Sequence, residues 1–125
     1  MSREYCEVPR KKTLIVEDDP TAAKALSVLL DHYGYETETA GNVASAIQSL
    51  ESSKPHVVLL DLMLPDGHGS EVIKAMHARG LKSRVIVMTA ERDPSQLRKA
   101  EALGPEKIMH KPLNVLLMLD FLRNA

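Results

Sequence analysis

The chain has 125 residues, with 16 basic and 17 acidic side chains and a net charge of −1. A chain of this length builds one domain with its own core, and its balanced charge gives no basic field for nucleic acid or an anionic membrane. Apolar residues make up 44% and charged residues 26%, which excludes disordered and low-complexity classes.

Cysteine content and the amino terminus bear on the compartment. Cys6 is the only cysteine, so the sequence offers neither an intrachain disulfide nor a thiolate metal cluster. No apolar run has signal-peptide character or approaches the roughly 20 residues that span a bilayer. We therefore expect a cytoplasmic protein.

Short apolar runs alternate five times with segments of helical periodicity. The runs at 13–16, 57–60 and 85–88 are continuously apolar, which is typical of strands that are covered on both faces of a parallel sheet. In residues 35–40, polar side chains alternate with β-forming ones, and the run at 107–109 is very short. Both segments therefore suit edge strands of the sheet.

Helix starts and stops lie between these runs. Residues that can cap a helix precede three of the helical segments, two of them followed by proline; they are Asp19, Asn42 and Asp93. Glycines that suit helix C-termini are Gly34, Gly80 and Gly104. Because β-α-β crossovers are right-handed, a (βα)₅ chain is predicted to form a parallel sheet with helices on both faces.

Ligand sites in such sheets lie at the carboxyl ends of the strands. The residues that follow the apolar runs are Glu17 and Asp18, then Asp61, Thr89 and Lys111. Three clustered carboxylates repel one another, and a hard divalent cation such as Mg²⁺ relieves that repulsion. Lys111 and Thr89 could hold phosphoryl oxygens, which leaves Asp61 as the candidate nucleophile.

Four segments in order resemble the receiver domains of two-component response regulators. They are residues 15–19 (IVEDD), residues 59–67 (LLDLMLPDG), Thr89-Ala90 and Lys111-Pro112. The resemblance spans residues 12 to about 123, so it implies a receiver domain at residues 12–123 with residues 1–11 as an N-terminal extension. It also implies a flavodoxin-like doubly wound sheet of order 2-1-3-4-5. It also implies a signalling domain that catalyses its own phosphorylation and dephosphorylation and does not act as an enzyme on outside substrates.

The same resemblance assigns roles to the site. Asp61 would take a phosphoryl group from a phosphohistidine of a sensor histidine kinase or a histidine phosphotransfer protein. Mg²⁺ would be bound by Asp18, Asp61 and the backbone carbonyl of Met63, and by Glu17 through water. Thr89 and Lys111 would hold phosphoryl oxygens.

Two further expectations accompany these roles. Asp19 is interpreted as a helix cap, not a metal ligand, because Pro20 follows it. Receivers also commonly have a cis peptide bond before the proline of the Lys111-Pro112 pair.

Two departures concern output. Receivers usually carry Tyr or Phe three residues before the lysine, and this chain has Ile108 at that position. We therefore expect an aromatic switch to be absent.

The last helix is also unusually apolar. Its predicted core stripe is Val115, Met118, Leu119 and Leu122, and the apolar residues left on adjoining faces are Leu116, Leu117 and Phe121. A downstream domain could cover that patch, or it could bind a second copy or an effector.

Three other function classes were weighed. A haloacid dehalogenase-like phosphatase would need an aspartate two residues after the nucleophile, where this chain has Met63. An unphosphorylated interaction module is disfavoured by the intact acidic, threonine and lysine set. A flavin carrier is disfavoured because the chain has only four aromatic residues, three Tyr and one Phe.

The remaining polar features have ordinary structural interpretations. The five histidines show no spacing typical of metal ligands. The segment Gly67–Ser70 is interpreted as a turn, and Cys6 is interpreted as an inert thiol.

Overall fold

The structure is a computed structural model that describes residues 11–123. The strands of its main sheet are β1 (Lys12–Val16), β2 (Glu36–Ala40), β3 (Val57–Asp61), β4 (Arg84–Thr89) and β5 (Lys107–His110). The helices are α1 (Pro20–His32), α2 (Val43–Ser53), α3 (Ser70–Ala78), α4 (Pro94–Glu101) and α5 (Val115–Arg123). The segment 62–69, here called the β3–α3 loop, contains a hairpin of two-residue strands, Met63–Leu64 and Gly67–His68.

The five main strands form one parallel sheet in the order β2-β1-β3-β4-β5. This arrangement confirms the predicted flavodoxin-like fold and its 2-1-3-4-5 order. Every residue of β3 is buried, as its continuous apolar run predicts. In β2, by contrast, the alternating sequence buries only Ala40, which suits an edge strand.

Helices cover both faces of the sheet. Helices α2, α3 and α4 pack on one face, where alternate strand residues such as Leu14 and Leu60 form the core with Leu50 and Ile73. Helices α1 and α5 cover the other face, where Ile15 and Leu59 contact a cluster that includes Leu30 and Leu119. No helix in residues 11–123 is long and apolar enough to cross a membrane.

The predicted caps start three helices. The side chain of Asp19 accepts a hydrogen bond from Thr21 N at 3.0 Å, and Asp93 accepts one from Ser95 N at 2.9 Å. Asn42 caps α2 through Ser45 N at 2.8 Å. The glycines expected at helix ends, Gly34, Gly80 and Gly104, all have positive φ. Cys6 and most of the proposed N-terminal extension lie outside the described residues.

Arg84, the first residue of β4, forms a set of hydrogen bonds at the amino-terminal end of the parallel strands. Its guanidinium donates to both carboxylate oxygens of Glu106 at 2.6 Å, to Leu122 O at 3.1 Å and to Phe121 O. It therefore joins β4, the residue before β5 and the last turn of α5. Cations are favourable near the carbonyl end of a helix. Arg84 holds the pKa of Glu106 below its ordinary value of 4.5 by a side-chain hydrogen bond, although partial burial opposes this effect.

We predict that Arg84→Ala lowers the free energy of unfolding by about 1–2 kcal/mol, because four charge-assisted bonds at a partly buried site are lost. Arg79→Ala is the matched control, since Arg79 forms an exposed ion pair with Glu51 and should cost roughly 0.2–1 kcal/mol. Denaturant unfolding measures both. Because the pKa of Glu106 is depressed, the Arg84 contribution is present above pH 4.5 and declines as pH falls further. Equal losses in the two variants at neutral pH would contradict this role of Arg84.

Candidate functional site

The side chains predicted to form a site lie at the carboxyl edge of the sheet. Glu17 and Asp18 follow β1, Asp61 ends β3, Thr89 ends β4 and Lys111 follows β5. Carboxylate oxygens of the three acidic residues all lie within 4.8 Å of one another. In residues 11–123 this is the one group of three or more metal-capable side chains.

Lys111 neutralises part of this acidic cluster. Its Nζ donates hydrogen bonds to Glu17 Oε1 at 2.7 Å and to Asp61 Oδ2 at 2.9 Å. The two carboxylates are 3% and 7% exposed, whereas the lysine side chain is 30% exposed. Partial burial alone would lower the pKa of Lys111, but the hydrogen bonds and negative charges of Glu17 and Asp61 outweigh it and raise that pKa. The ammonium form is therefore the one that the site holds.

The second oxygens of the buried carboxylates contact backbone amides. Asp61 Oδ1 accepts a hydrogen bond from Met63 N at 3.0 Å, and Glu17 Oε2 accepts one from Asp19 N at 3.1 Å. The Asp18 side chain is exposed and has no hydrogen-bond partner among residues 11–123. With three carboxylates and one ammonium, the cluster keeps an excess of negative charge. Like charges 4 Å apart repel by about 4 kcal/mol at an effective dielectric of 20.

This donor set fits a hard divalent cation. Oxygen ligands at this spacing are those that Mg²⁺ takes, usually with one or two carboxylates and several waters. Exposed Asp18 leaves an open approach from solvent, while the buried pair supplies fixed oxygens. The residues present therefore fit the metal that the sequence predicts.

Thr89, the last residue of β4, is fully buried. Its Oγ1 accepts a hydrogen bond from Glu91 N at 2.9 Å, so the hydroxyl proton remains available to donate. Lys111 N donates to Thr89 O at 2.8 Å, which joins the ends of β4 and β5. The Lys111–Pro112 peptide bond is cis, as the resemblance implied.

Gly69 is a residue whose importance the sequence reading missed. Its amide donates to Leu62 O at 2.7 Å, so the end of the β3–α3 loop lies against its start. A Cβ at Gly69 would lie 2.8 Å from the Leu62 Cα and closer still to the carbonyl oxygen of Asp61. The φ of Gly69 is −58°, so the glycine is required for space and not for its backbone conformation. The sequence pattern predicted the turn but not this close approach.

Ile108 occupies the position where receivers usually carry an aromatic ring. It is partly buried and packs on the face of the sheet that α2, α3 and α4 cover. Beside it, a groove of about 360 Å³ separates α4 from β5 and is lined by Leu97, Ile108 and four other residues. The aromatic residues in the described part of the chain lie elsewhere: Tyr35 and Phe121 pack on the opposite face, and Tyr33 follows α1. No tyrosine or phenylalanine among residues 11–123 therefore lies at the position of the usual switch residue.

The last helix carries the predicted apolar patch with two changes. Met118, Leu119 and Leu122 are buried as expected. Val115 was predicted to lie in the core stripe but is 37% exposed, because it lies at the first position of α5, before the buried turn. Phe121 was predicted on an adjoining face but is partly buried against the α1–α5 core, with Lys107 Nζ 5.3 Å from its ring centroid. The patch is therefore Val115, Leu116 and Leu117, here called the α5 patch.

We predict that Gly69→Ala destabilises the protein by about 1–3 kcal/mol, since the new methyl group overlaps the backbone of residues 61 and 62. Gly41→Ala is the control, because its Cβ would have no neighbour closer than Glu17 O at 4.0 Å. That variant should stay within about 1 kcal/mol of the original protein. Thermal or denaturant unfolding decides, and equal stability of the two variants would disprove the close approach.

Comparisons with known proteins agree with this geometry. The family model described as the response regulator receiver domain matches residues 13–123. The chain is 31% identical over 104 residues to the DNA-binding response regulator MtrA of Mycolicibacterium smegmatis, covering 82% of this chain and 45% of that protein. It is 30% identical over 115 residues to sporulation initiation phosphotransferase F of Bacillus subtilis, covering 92% and 90%.

A solved structure gives the same result. The CheY-like receiver domain protein from Methanospirillum hungatei superposes with a TM-score of 0.86 at 26% identity, over 92% of each chain. The chain spans about half the length of the first curated relatives it matches. This chain belongs to the receiver domains of two-component response regulators, a family of phosphorylation-based signalling domains.

Proposed function

We propose that Asp61 is the phosphoacceptor of this receiver and that Glu17, Asp18, Asp61 and the Met63 carbonyl hold Mg²⁺ there. The observation that carries the proposal is the buried Asp61 carboxylate, held by Lys111 within a cluster of three acidic side chains. Because Asp61 ends β3, a phosphoryl donor would approach it from the carboxyl edge of the sheet. The donor would be a phosphohistidine on a sensor histidine kinase or a histidine phosphotransfer protein.

The transfer step uses the carboxylate as the nucleophile. A carboxylate oxygen of Asp61 forms a bond to phosphorus while the P–N bond to the donor imidazole breaks. The imidazole nitrogen keeps the electron pair of that bond and takes up a proton, and the product is an acyl phosphate on Asp61. Bound Mg²⁺ supplies positive charge that offsets the charge on the phosphoryl oxygens.

Lys111 and Thr89 stabilise the transferred group. The ammonium lies 2.9 Å from Asp61 Oδ2, so a phosphoryl group on Asp61 would place an oxygen within its reach. The Thr89 hydroxyl can donate to a second phosphoryl oxygen. Water attack on phosphorus would return the Asp61 carboxylate and release inorganic phosphate, so the same site would carry out both self-phosphorylation and dephosphorylation.

Action on outside phosphoesters is not supported. The side chain two residues after Asp61 is that of Met63, which is 55% exposed and has no proton to give to a leaving group. We therefore assign a switch and not a phosphatase. Its location would be the cytoplasm, where a kinase domain could reach it. A net charge of −1 gives this chain no overall basic field to attract DNA or an anionic membrane.

The output would pass through the α4–β5–α5 side of the molecule. We propose that movement of Thr89 repacks Ile108 and the 91–103 segment, because Ile108 packs beside the groove next to α4. The α5 patch would then contact a second copy or an effector. If amide chemical shifts on phosphorylation changed only in the loops around Asp61, this route would be wrong.

We predict that Mg²⁺ and acetyl phosphate add one phosphoryl group to the intact chain, as measured by mass spectrometry. The gain should vanish in Asp61→Asn and in a sample whose metal is chelated, because the first lacks the nucleophile and the second lacks the charge neutralisation. Asp93→Asn is the matched control, since Asp93 is an exposed aspartate that caps α4, and it should be phosphorylated normally. Modification of Asp61→Asn to the same extent would contradict the assignment.

A further inference from the structure

We propose that Asp66 is a positioning residue, which anchors the tip of the β3–α3 loop to the amino end of α2 and so holds Met63 in place beside Asp61. This inference rests on the proposed function of Asp61. Asp66 Oδ1 accepts a hydrogen bond from Val43 N at 2.7 Å, and Oδ2 accepts one from Ala44 N at 3.1 Å. The first two amides of α2 therefore both donate to one carboxylate from another part of the chain.

The physical chemistry of this contact is favourable. The first amides of a helix have no partner within the helix, and the helix dipole favours an anion at that end. Bonds from amides to an ionised carboxylate are stronger than bonds between neutral groups. The hydrogen bond from Val43 lowers the pKa of Asp66, partly opposed by desolvation, so the carboxylate form is favoured at neutral pH.

Helix α2 does not need Asp66 as its ordinary cap. Asn42 already caps it locally, with Ser45 N donating to Asn42 Oδ1 at 2.8 Å. The amides that Asp66 binds are 23 and 22 residues away along the chain, whereas Asn42 and Ser45 are 3 apart. A bond over that separation fixes the position of the loop as well as the end of the helix.

The β3–α3 loop connects the anchored Asp66 to Asp61. Asp66 lies at the tip of the hairpin, in which Met63 pairs with His68 and Leu64 pairs with Gly67. At the base of the hairpin, Met63 N donates to Asp61 Oδ1 at 3.0 Å. Release of the tip would let the hairpin pivot, and Met63 would move with it. The amide that holds Asp61 and the proposed metal-binding carbonyl both belong to Met63.

The two caps of α2 provide a matched test. Asp66→Ala removes the loop anchor, Asn42→Ala removes only the local cap, and Asp66→Asn keeps one acceptor oxygen. Hydrogen exchange of the Met63 and Gly69 amides is measured first, in the absence of metal. We expect exchange to be roughly tenfold faster in Asp66→Ala, intermediate in Asp66→Asn and unchanged in Asn42→Ala, because only the first two variants free the loop.

The second measurement is the Mg²⁺ concentration that gives half-maximal phosphorylation by acetyl phosphate. It should rise about tenfold in Asp66→Ala and stay unchanged in Asn42→Ala, as expected for a residue that orients a metal ligand. Equal changes in the two variants would mean that both act only through α2, and would overturn the role of Asp66. So would a normal Mg²⁺ requirement in Asp66→Ala. If the wild-type chain gained no phosphoryl group at all, the proposed function itself would fail.

Discussion

The crowding of three carboxylates around one ammonium is the constraint on which the site depends. Glu17, Asp18 and Asp61 have oxygens within 4.8 Å of one another, and Lys111 bonds two of them. An apolar set at the same positions would avoid this repulsion and pack as well, so the arrangement favours chemistry over stability. The negative charge that remains favours a bound cation, whose positive charge would in turn offset that of the phosphoryl oxygens.

The fold creates this crowding through the direction of its strands. In a parallel sheet all carboxyl ends meet at one edge, so residues far apart in sequence converge without any local motif. Stability is supplied elsewhere, by the two apolar faces and by the Arg84 contacts at the opposite edge. This separation leaves the loops of the carboxyl edge free to carry polar residues.

Much of the fold and of the site could be predicted from the sequence, because the functional residues directly follow apolar runs. Asp61 and Thr89 end their strands, so identifying the strand also locates the residue. The bonds of Asp66 could not be predicted in the same way, since they depend on the path of a loop across 22 or 23 residues of separation. The need for glycine at position 69 was equally hidden, because it arises from the close approach of that residue to the backbone of Asp61 and Leu62. At α5, helical periodicity predicted the buried face, but not where the helix starts relative to the core, which decides the exposure of Val115.

The central claim is that Asp61 itself forms the acyl phosphate. Borohydride reduces an aspartyl phosphate to homoserine, so the chain would be treated with acetyl phosphate and Mg²⁺, reduced, digested and sequenced by mass spectrometry. If Asp61 is the phosphoacceptor, homoserine will appear at position 61 and at no other aspartate, and none will appear when the metal is chelated. Homoserine at Asp18 or Asp66 instead, or none at any position in a chain that had gained a phosphoryl group, would contradict it.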